Sequence, residues 1–273
     1  MGDVYEALPI DFIYDFIRSV MLIILSPAKT MDMSPVPAGL PVTEPEFRND
    51  AELLAAKMRR YTQEEIAVLL KISPKLAREN YMRYQQFDAP DNPIKQALFA
   101  YNGSVFKHIQ AGAFSVDDLE YAQNHLRIVS TLYGLLRPLD RIKAYRMTYD
   151  VKLQGMTGDL YAYWRPVLTD PLIAAVNSAG GLLVNLASLD VLGAFDMARV
   201  RQQVRVVTPE FLMRRNGRWE TVRTYAKIAR GEMTRFILQQ RIEQPDQFKT
   251  FVWEDFCFNE ALSDEVRYVF TRK

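Results

Sequence analysis

Hydrophobic positions along the chain fall into two kinds of segment. Short unbroken apolar runs read as buried strands. One is Leu22 to Leu25 in "MLIILSPAKT", stopped by Ser26 and Pro27; the other is "GLLVNLAS" (181–188). Longer stretches repeat every three to four residues and read as amphipathic helices. "DAELLAAKMRRY" (50–61) opens on an Asp cap. "TQEEIAVLLKI" (62–72) opens on Thr62, with Glu65 placed to complete a capping box. "SPKLARENYMRYQQF" (73–87) has Ser73 as cap and Pro74 at the first helical position. "SVDDLEYAQNHL" (115–126) pairs Ser115 with Asp118 in the same way, and helical periods recur over 158–176 and 226–242.

The remaining segments are strand-like or irregular. Residues 33–45 are Pro-rich, and "NPIKQALFAYNG" (92–103) is a helix or strand running into a turn at Asn102-Gly103. "RIVSTLYGLL" (127–136) is β-prone, and "RVRQQVRVVTPEF" (199–211) alternates as a strand. Asn216-Gly217 between β-like flanks in "RRNGRWETVRTYA" (214–226) signals a hairpin. Strands mixed with helices, without a Gly/Ser-rich linker, predict an α/β or mixed α+β chain. The expected architecture is a single compact domain over 21–273, a mixed twisted sheet flanked by helices, with a helical insertion near 50–90.

Composition narrows the function classes. Of 273 residues, 49% are hydrophobic and 25% charged, the balance of a globular chain. No apolar run approaches the roughly 20 residues a spanning helix needs, so no membrane partner is expected. A single cysteine, Cys257, excludes an internal disulfide framework and fits a reducing compartment such as a bacterial cytoplasm. Its setting, "FVWEDFCFNE", predicts a buried, inert thiol. Residues 1–20 carry Asp3, Glu6, Asp11 and Asp15, which fits an N-terminal extension or docking segment rather than a secretory signal.

Net charge is near zero, with 34 Lys and Arg against 33 Asp and Glu, but the charge is unevenly spread. Residues 1–50 hold eight acids against three bases; residues 199–241 hold eleven bases, ten of them Arg, against three acids. A strongly basic third suits an anionic ligand, and the guanidinium fork matches phosphate oxygens.

Three places carry candidate chemistry. The two apolar runs end in small polar residues, Ser26, Lys29 and Thr30 after the first and Asn185 and Ser188 at the second. Ligands of open α/β sheets bind outside such strand ends, although a polar turn is an equally good reading. "TYAKIARG" (224–231) sets Lys227 and Arg230 on one helical face, either as a binding stripe or as an exposed basic surface. "YGLLRPLDRIKAYR" (133–146) interleaves Arg137, Arg141, Lys143 and Arg146 with Tyr133 and Tyr145, around Asp140. Tyrosines among arginines suit base stacking and phosphate contact; a loop pinned by salt bridges is the alternative. His108 and His125 lie in no metal-binding spacing, so neither a metal nor a cofactor is expected.

"MLIILSPAKTM", "AYNGSVF", "LYGLLRPLDRIKAYR", "VNLAS" and "YAKIARGEMTRFIL", in this order, resemble the bacterial peroxide stress resistance protein YaaA family from Met21 nearly to the C-terminus. The resemblance implies a cytoplasmic protein needed under hydrogen peroxide stress and associated with limiting intracellular iron. It also implies DNA binding through a positively charged cleft and a helix-hairpin-helix element. That element maps onto "EEIAVLLKISPKLARENY", where Lys71, Lys75 and Arg78 face a phosphate, although Ser73-Pro74 stands where such hairpins carry glycines. "YRMTYD" stands where the family has "YRLEMG", so Thr148 replaces an acid and Asp150 a glycine. Leu189-Asp190 follows "NLAS" in place of an acid and an aromatic, and Ile228 stands for the second lysine of "YAKKARG".

Two functional readings follow. In the first, Lys29, Arg137, Arg146, Lys152, Lys227 and Arg230 line a cleft that grips duplex or single-stranded DNA without reading its sequence. In the second, the same cations hold a nucleotide or sugar phosphate for catalysis, while Ser26, Asn102, Tyr133, Asn185 and Ser188 position the rest. Direct iron binding is the weakest reading, because no ligand set can be assembled from the sequence.

Overall fold

The computed structural model describes residues 21–36 and 39–273; the extension 1–20 lies outside the described residues. The chain runs β1 (Met21–Leu25), α1 (Arg48–Met58), α2 (Gln63–Leu70), α3 (Pro74–Gln85), β2 (Ile94–Gln96), α4 (Ala97–Ala100) and α5 (Ser104–Ile109). It continues α6 (Val116–His125), β3 (Leu126–Ser130), β4 (Gly134–Leu136), β5 (Arg141–Lys143), α7 (Leu160–Ser178), β6 (Leu182–Asn185) and α8 (Leu189–Leu192). Then come α9 (Met197–Gln203), β7 (Arg205–Arg215), β8 (Arg218–Glu220), α10 (Arg223–Gln239), β9 (Cys257–Phe258) and β10 (Arg267–Arg272). This is the expected mixed α/β class, one compact domain whose mixed sheet is flanked by helices.

All five residues of β1 are fully buried. Enclosing each such side chain contributes about 1.5–3 kcal/mol. A run with no polar face is stable only between two strands and under cover on both sides. β1 accordingly lies between β3 and β6, both parallel to it. β7 runs parallel to β6, and β10 parallel to β7. The antiparallel strands are peripheral: β4 on β3, β9 on β10, and β8 on the far end of β7. The order is β4-β3-β1-β6-β7-β10-β9, while β2 and β5 form a separate antiparallel pair.

Local signals set the helix starts. Thr62 and Ser115 both complete reciprocal capping boxes, and Ser73 accepts from the Leu76 amide. The hairpin at 216–217 has positive φ at both residues, 49° for Asn216 and 78° for Gly217, as a two-residue turn requires. α10 packs against α5, α6 and β7, whereas α7 covers β1, β4 and β6 and meets α9.

Two expectations are corrected. Residues 199–211 are not one strand: α9 occupies 197–203 and β7 begins at Arg205. Asp196 accepts from the Arg199 amide and so caps a helix that alternation alone did not reveal. Cys257 is exposed rather than buried, because it sits on the short edge strand β9, with the ring of Phe256 carrying the packing beneath.

Candidate functional site

The parallel strands β1, β3 and β6 all end at one edge of the sheet, and the small polar residues sit there. The Ser26 and Ser188 hydroxyls are 3.0 Å apart, and the Ser188 amide donates to Ser26 Oγ at 2.8 Å. The loops after β1 and β6 are thereby tied together. Asn185 is buried; its Oδ1 accepts from the Ala187 amide at 3.1 Å and its Nδ2 reaches Thr208 Oγ1 at 3.4 Å. Two of these residues, Ser26 and Asn185, therefore spend hydrogen-bonding capacity on shaping the rim itself.

Asn102 and Thr30 join the same edge. The Asn102 amide donates to the Thr30 carbonyl at 2.9 Å, and the Thr30 hydroxyl donates to the Asn102 carbonyl. A Cβ on Gly103 would lie 2.9 Å from the Ala28 Cβ, so α5 begins in contact with the loop after β1. At α10 the approach is closer: a Cβ on Gly231 would lie 2.3 Å from the Val105 carbonyl oxygen. The start of α5 thus stands between the 26–30 loop and the middle of α10, next to Arg230.

The tyrosines of the 133–146 stretch turn inward. Tyr133 and Tyr145 are buried, edge-to-face with each other at 5.8 Å, and the Tyr133 hydroxyl accepts from the Lys143 amide at 3.0 Å. Tyr145 Oη bridges Ser130 Oγ at 2.7 Å and Tyr101 Oη at 2.8 Å. Burial pushes the Tyr101 and Tyr145 phenols above their ordinary range. Tyr145 faces the core, and Tyr133, 4% exposed, reaches the surface only at the wall of a small cavity, so neither presents an open stacking platform to a base. Ser130, which also accepts from the Tyr133 amide at 2.9 Å, is the organiser of this corner, and its place in "RIVSTLYGLL" gave no sign of it.

The cations divide into two groups. Arg137 is committed: Nε and Nη2 donate to the fully buried Asp140 carboxylate at 3.1 and 3.0 Å, and Nη2 also reaches the Glu44 carbonyl at 2.9 Å. The salt-bridged reading of that loop accounts for it. Lys71 pairs with Asp150 at 2.7 Å. Arg146 donates to the Lys29 carbonyl at 3.2 Å, joining the loop after β1 to the residue following Tyr145. Among the described residues, Lys29, Lys75, Arg78, Lys152 and Lys227 are exposed and make no ion pair. Arg214, Arg215 and Arg218, at the tip of the β7–β8 hairpin, are likewise exposed and unpaired.

Arg230 differs from all of these. It is half-buried, its Nε is enclosed without a hydrogen-bond partner, and desolvation lowers its pKa. The acid acting on it is Glu210, whose carboxylate lies 3.6 Å from Arg267. Neither of two surface cavities is lined by Arg230. A cavity of about 100 Å³ lies between Glu44, Arg48, Tyr133 and Lys143, and one of about 220 Å³ between Asp32, Asn102, Phe106 and Lys107. The second of these brings Asn102 to its wall. No three His, Cys, Asp or Glu side chains converge as a metal site among the described residues, and no described helix is long and apolar enough to cross a membrane.

Residues 21–262 match the family model described as peroxide stress protein YaaA. A UPF0246 protein of Bacteroides fragilis is 51% identical over 253 residues, which is 92% of this chain and 98% of that protein. A UPF0246 protein of Parabacteroides distasonis is 43% identical over 254 residues, covering 93% of this chain and all of its own length (100%). One from Burkholderia mallei is 39% identical over 259 residues, covering 93% and 99%.

Proposed function

The chain belongs to the peroxide stress protein YaaA family, and we propose that within the peroxide stress response it binds DNA without reading sequence. The observation that carries this reading is the set of exposed, unpaired cations: Lys29, Lys75, Lys152 and Lys227, with Arg214, Arg215 and Arg218 on the hairpin. A cation held by a protein acid has little attraction left for a phosphate; these have no such acid among the described residues. Helices α2 and α3 with their 71–73 turn contribute Lys75 and Arg78 as the hairpin element. Lysines that replace condensed counterions also displace divalent metal from the strand. Ferrous ion displaced in this way no longer generates hydroxyl radicals against the sugars, which links DNA binding to the limiting of iron-dependent damage. Such a role places the protein in the cytoplasm.

Fluorescence anisotropy on a labelled duplex tests this. Between about 50 and 200 mM salt, log K falls linearly with log salt, with a slope near 0.9 for each phosphate neutralised. Absence of binding at low ionic strength, or an affinity indifferent to salt, overturns it.

A second reading, catalysis on a nucleotide or sugar phosphate at the strand ends, is favoured by Arg230, a half-buried guanidinium without an ion pair among the described residues. Asn185→Ala separates the two. It leaves duplex binding intact if the cations act alone, and it abolishes complementation of a peroxide-sensitive deletion strain if the rim works on a small substrate.

A further inference from the structure

Arg230 lies on the inward stripe of α10. Ala226, Ala229, Met233, Thr234 and Ile237 are buried, and at about 100° per residue Arg230 falls between Ile237 and Thr234. A core-facing arginine normally ends in a carboxylate, because an uncompensated buried charge is costly. Arg230 makes no hydrogen bond or ion pair with its side chain among the described residues. Glu210, the acid nearest in effect, is shared with Arg267. Nε is fully enclosed, while the terminal nitrogens are not among the enclosed unpartnered atoms. The terminal nitrogens of the guanidinium are therefore left open to a ligand, on the helix that packs against α5. Lys227, one turn earlier on the same helix, is exposed and makes no ion pair among the described residues, and it supplies a second positive charge.

Resting on the second reading above, we propose that Arg230 anchors a phosphate monoester, with Lys227 completing its charge. Shape selects the monoester. An internal phosphodiester carries a sugar on each side, whereas Arg230 has only its terminal nitrogens open to a ligand. A terminal phosphate has one substituent, enters end-on, and offers two oxygens to the fork while a third meets the ammonium. Charge agrees, since a monoester carries about −1.5 to −2 at neutral pH, where a diester carries a single negative charge. Both a free mononucleotide and the phosphorylated end of a broken strand present this group.

The test uses the full chain in phosphate-free buffer. Calorimetric titration compares dAMP, inorganic phosphate, the dinucleotide d(ApA) lacking terminal phosphates, and one oligonucleotide with a 5′-phosphate or a 5′-hydroxyl. dAMP is expected to bind at least about tenfold more tightly than d(ApA), and Arg230→Met to weaken dAMP by about tenfold or more, the loss of a hydrogen bond to a charged group. Preference for the 5′-phosphoryl oligonucleotide over its 5′-hydroxyl form assigns the strand end as a source; dAMP binding without that preference assigns the free nucleotide. Arg230→Lys keeps the charge without the fork and is expected to lose dAMP as well. Thermal unfolding provides a readout that a structural role would move the other way. Without ligand, Arg230→Met is expected to melt at or above the wild-type temperature, and dAMP to raise the melting point of the wild type only. Equal binding of dAMP and d(ApA), undiminished dAMP binding by Arg230→Met, or a variant destabilised yet still stabilised by dAMP overturns the proposal. Salt-dependent binding of the 5′-hydroxyl duplex is followed alongside, so the DNA-binding reading stands or falls separately.

Discussion

The Lys71 ammonium lies 2.7 Å from the Asp150 carboxylate, tying the turn between α2 and α3 to the loop that follows Tyr149. Both side chains are exposed, 77% and 53%, so the pair contributes at most about 1 kcal/mol to stability. Its effect on charge is larger. Lys71 caps α2 in the left-handed conformation, at the tip of the element proposed to contact phosphate, and Asp150 neutralises it there.

Asp150→Asn is therefore expected to strengthen duplex binding. The freed ammonium gains one phosphate, which steepens the salt slope by about 0.9 and raises affinity several-fold at low salt. Unfolding should change little. Anisotropy titrations at a series of salt concentrations check this, and an unchanged slope removes the α2–α3 turn from the interface.

Tyr145→Phe separates a core tyrosine from a ligand platform. The ring stays and the hydroxyl goes, leaving Ser130 Oγ and Tyr101 Oη, both in buried residues, without the oxygen that bridges them at 2.7 and 2.8 Å. Stranding buried polar groups costs about 1–3 kcal/mol. Chemical denaturation should show that loss while DNA affinity is unaltered. A loss of affinity without a loss of stability would return the tyrosine to the binding surface.

The features legible in the sequence are those decided within a few residues. A capping box needs only Thr62 and Glu65, or Ser115 and Asp118, and both formed as read. The unbroken apolar run 22–25 implied burial on every side, and β1 occupies the middle of the sheet. Ambiguity entered where two periods fit the same letters. "RVRQQV" alternates like a strand, yet Asp196 caps it as a helix. Exposure was the least legible property. Tyr133 and Tyr145 neighbour arginines in the chain, but their rings turn inward between β3 and the β2–β5 pair. Arg137 found its acid three residues away, a pairing that spacing suggested. The isolation of Arg230 depends on which groups α10 meets across space, and no local pattern carries that information.

Gly231→Ala tests whether the glycine of "YAKIARG" serves packing. Its added methyl would sit 2.3 Å from the Val105 carbonyl oxygen and 2.9 Å from the His108 Cβ. The first of these is backbone, so α5 and α10 must separate. Overpacking of this kind costs about 1–3 kcal/mol, which outweighs the helix propensity gained from alanine. Thermal melts should show the destabilisation, and dAMP binding should weaken with it because Arg230 moves with the helix. A variant as stable as wild type would mean that the two helices are not in contact as described.

His125 gives the fold an acid-side sensitivity. Its ring stacks on Tyr121 at 3.9 Å and its Nδ1 meets the Tyr121 carbonyl at 2.7 Å. Desolvation lowers its pKa below the ordinary 6.5; the Tyr121 carbonyl and Glu243 oppose the shift, whereas Arg127 and Arg241 reinforce it. The folded state thus binds the proton less readily than the unfolded chain. Above about 6.5 the ring is neutral in both states and stability is unaffected. As pH falls below that value the unfolded chain takes up the proton first, and stability declines until the folded pKa is passed. His125→Gln removes this contribution. Melting temperatures of wild type and variant measured from neutral pH downward should therefore converge on the acid side, the wild type losing more. Parallel curves would place the acid sensitivity elsewhere in the fold.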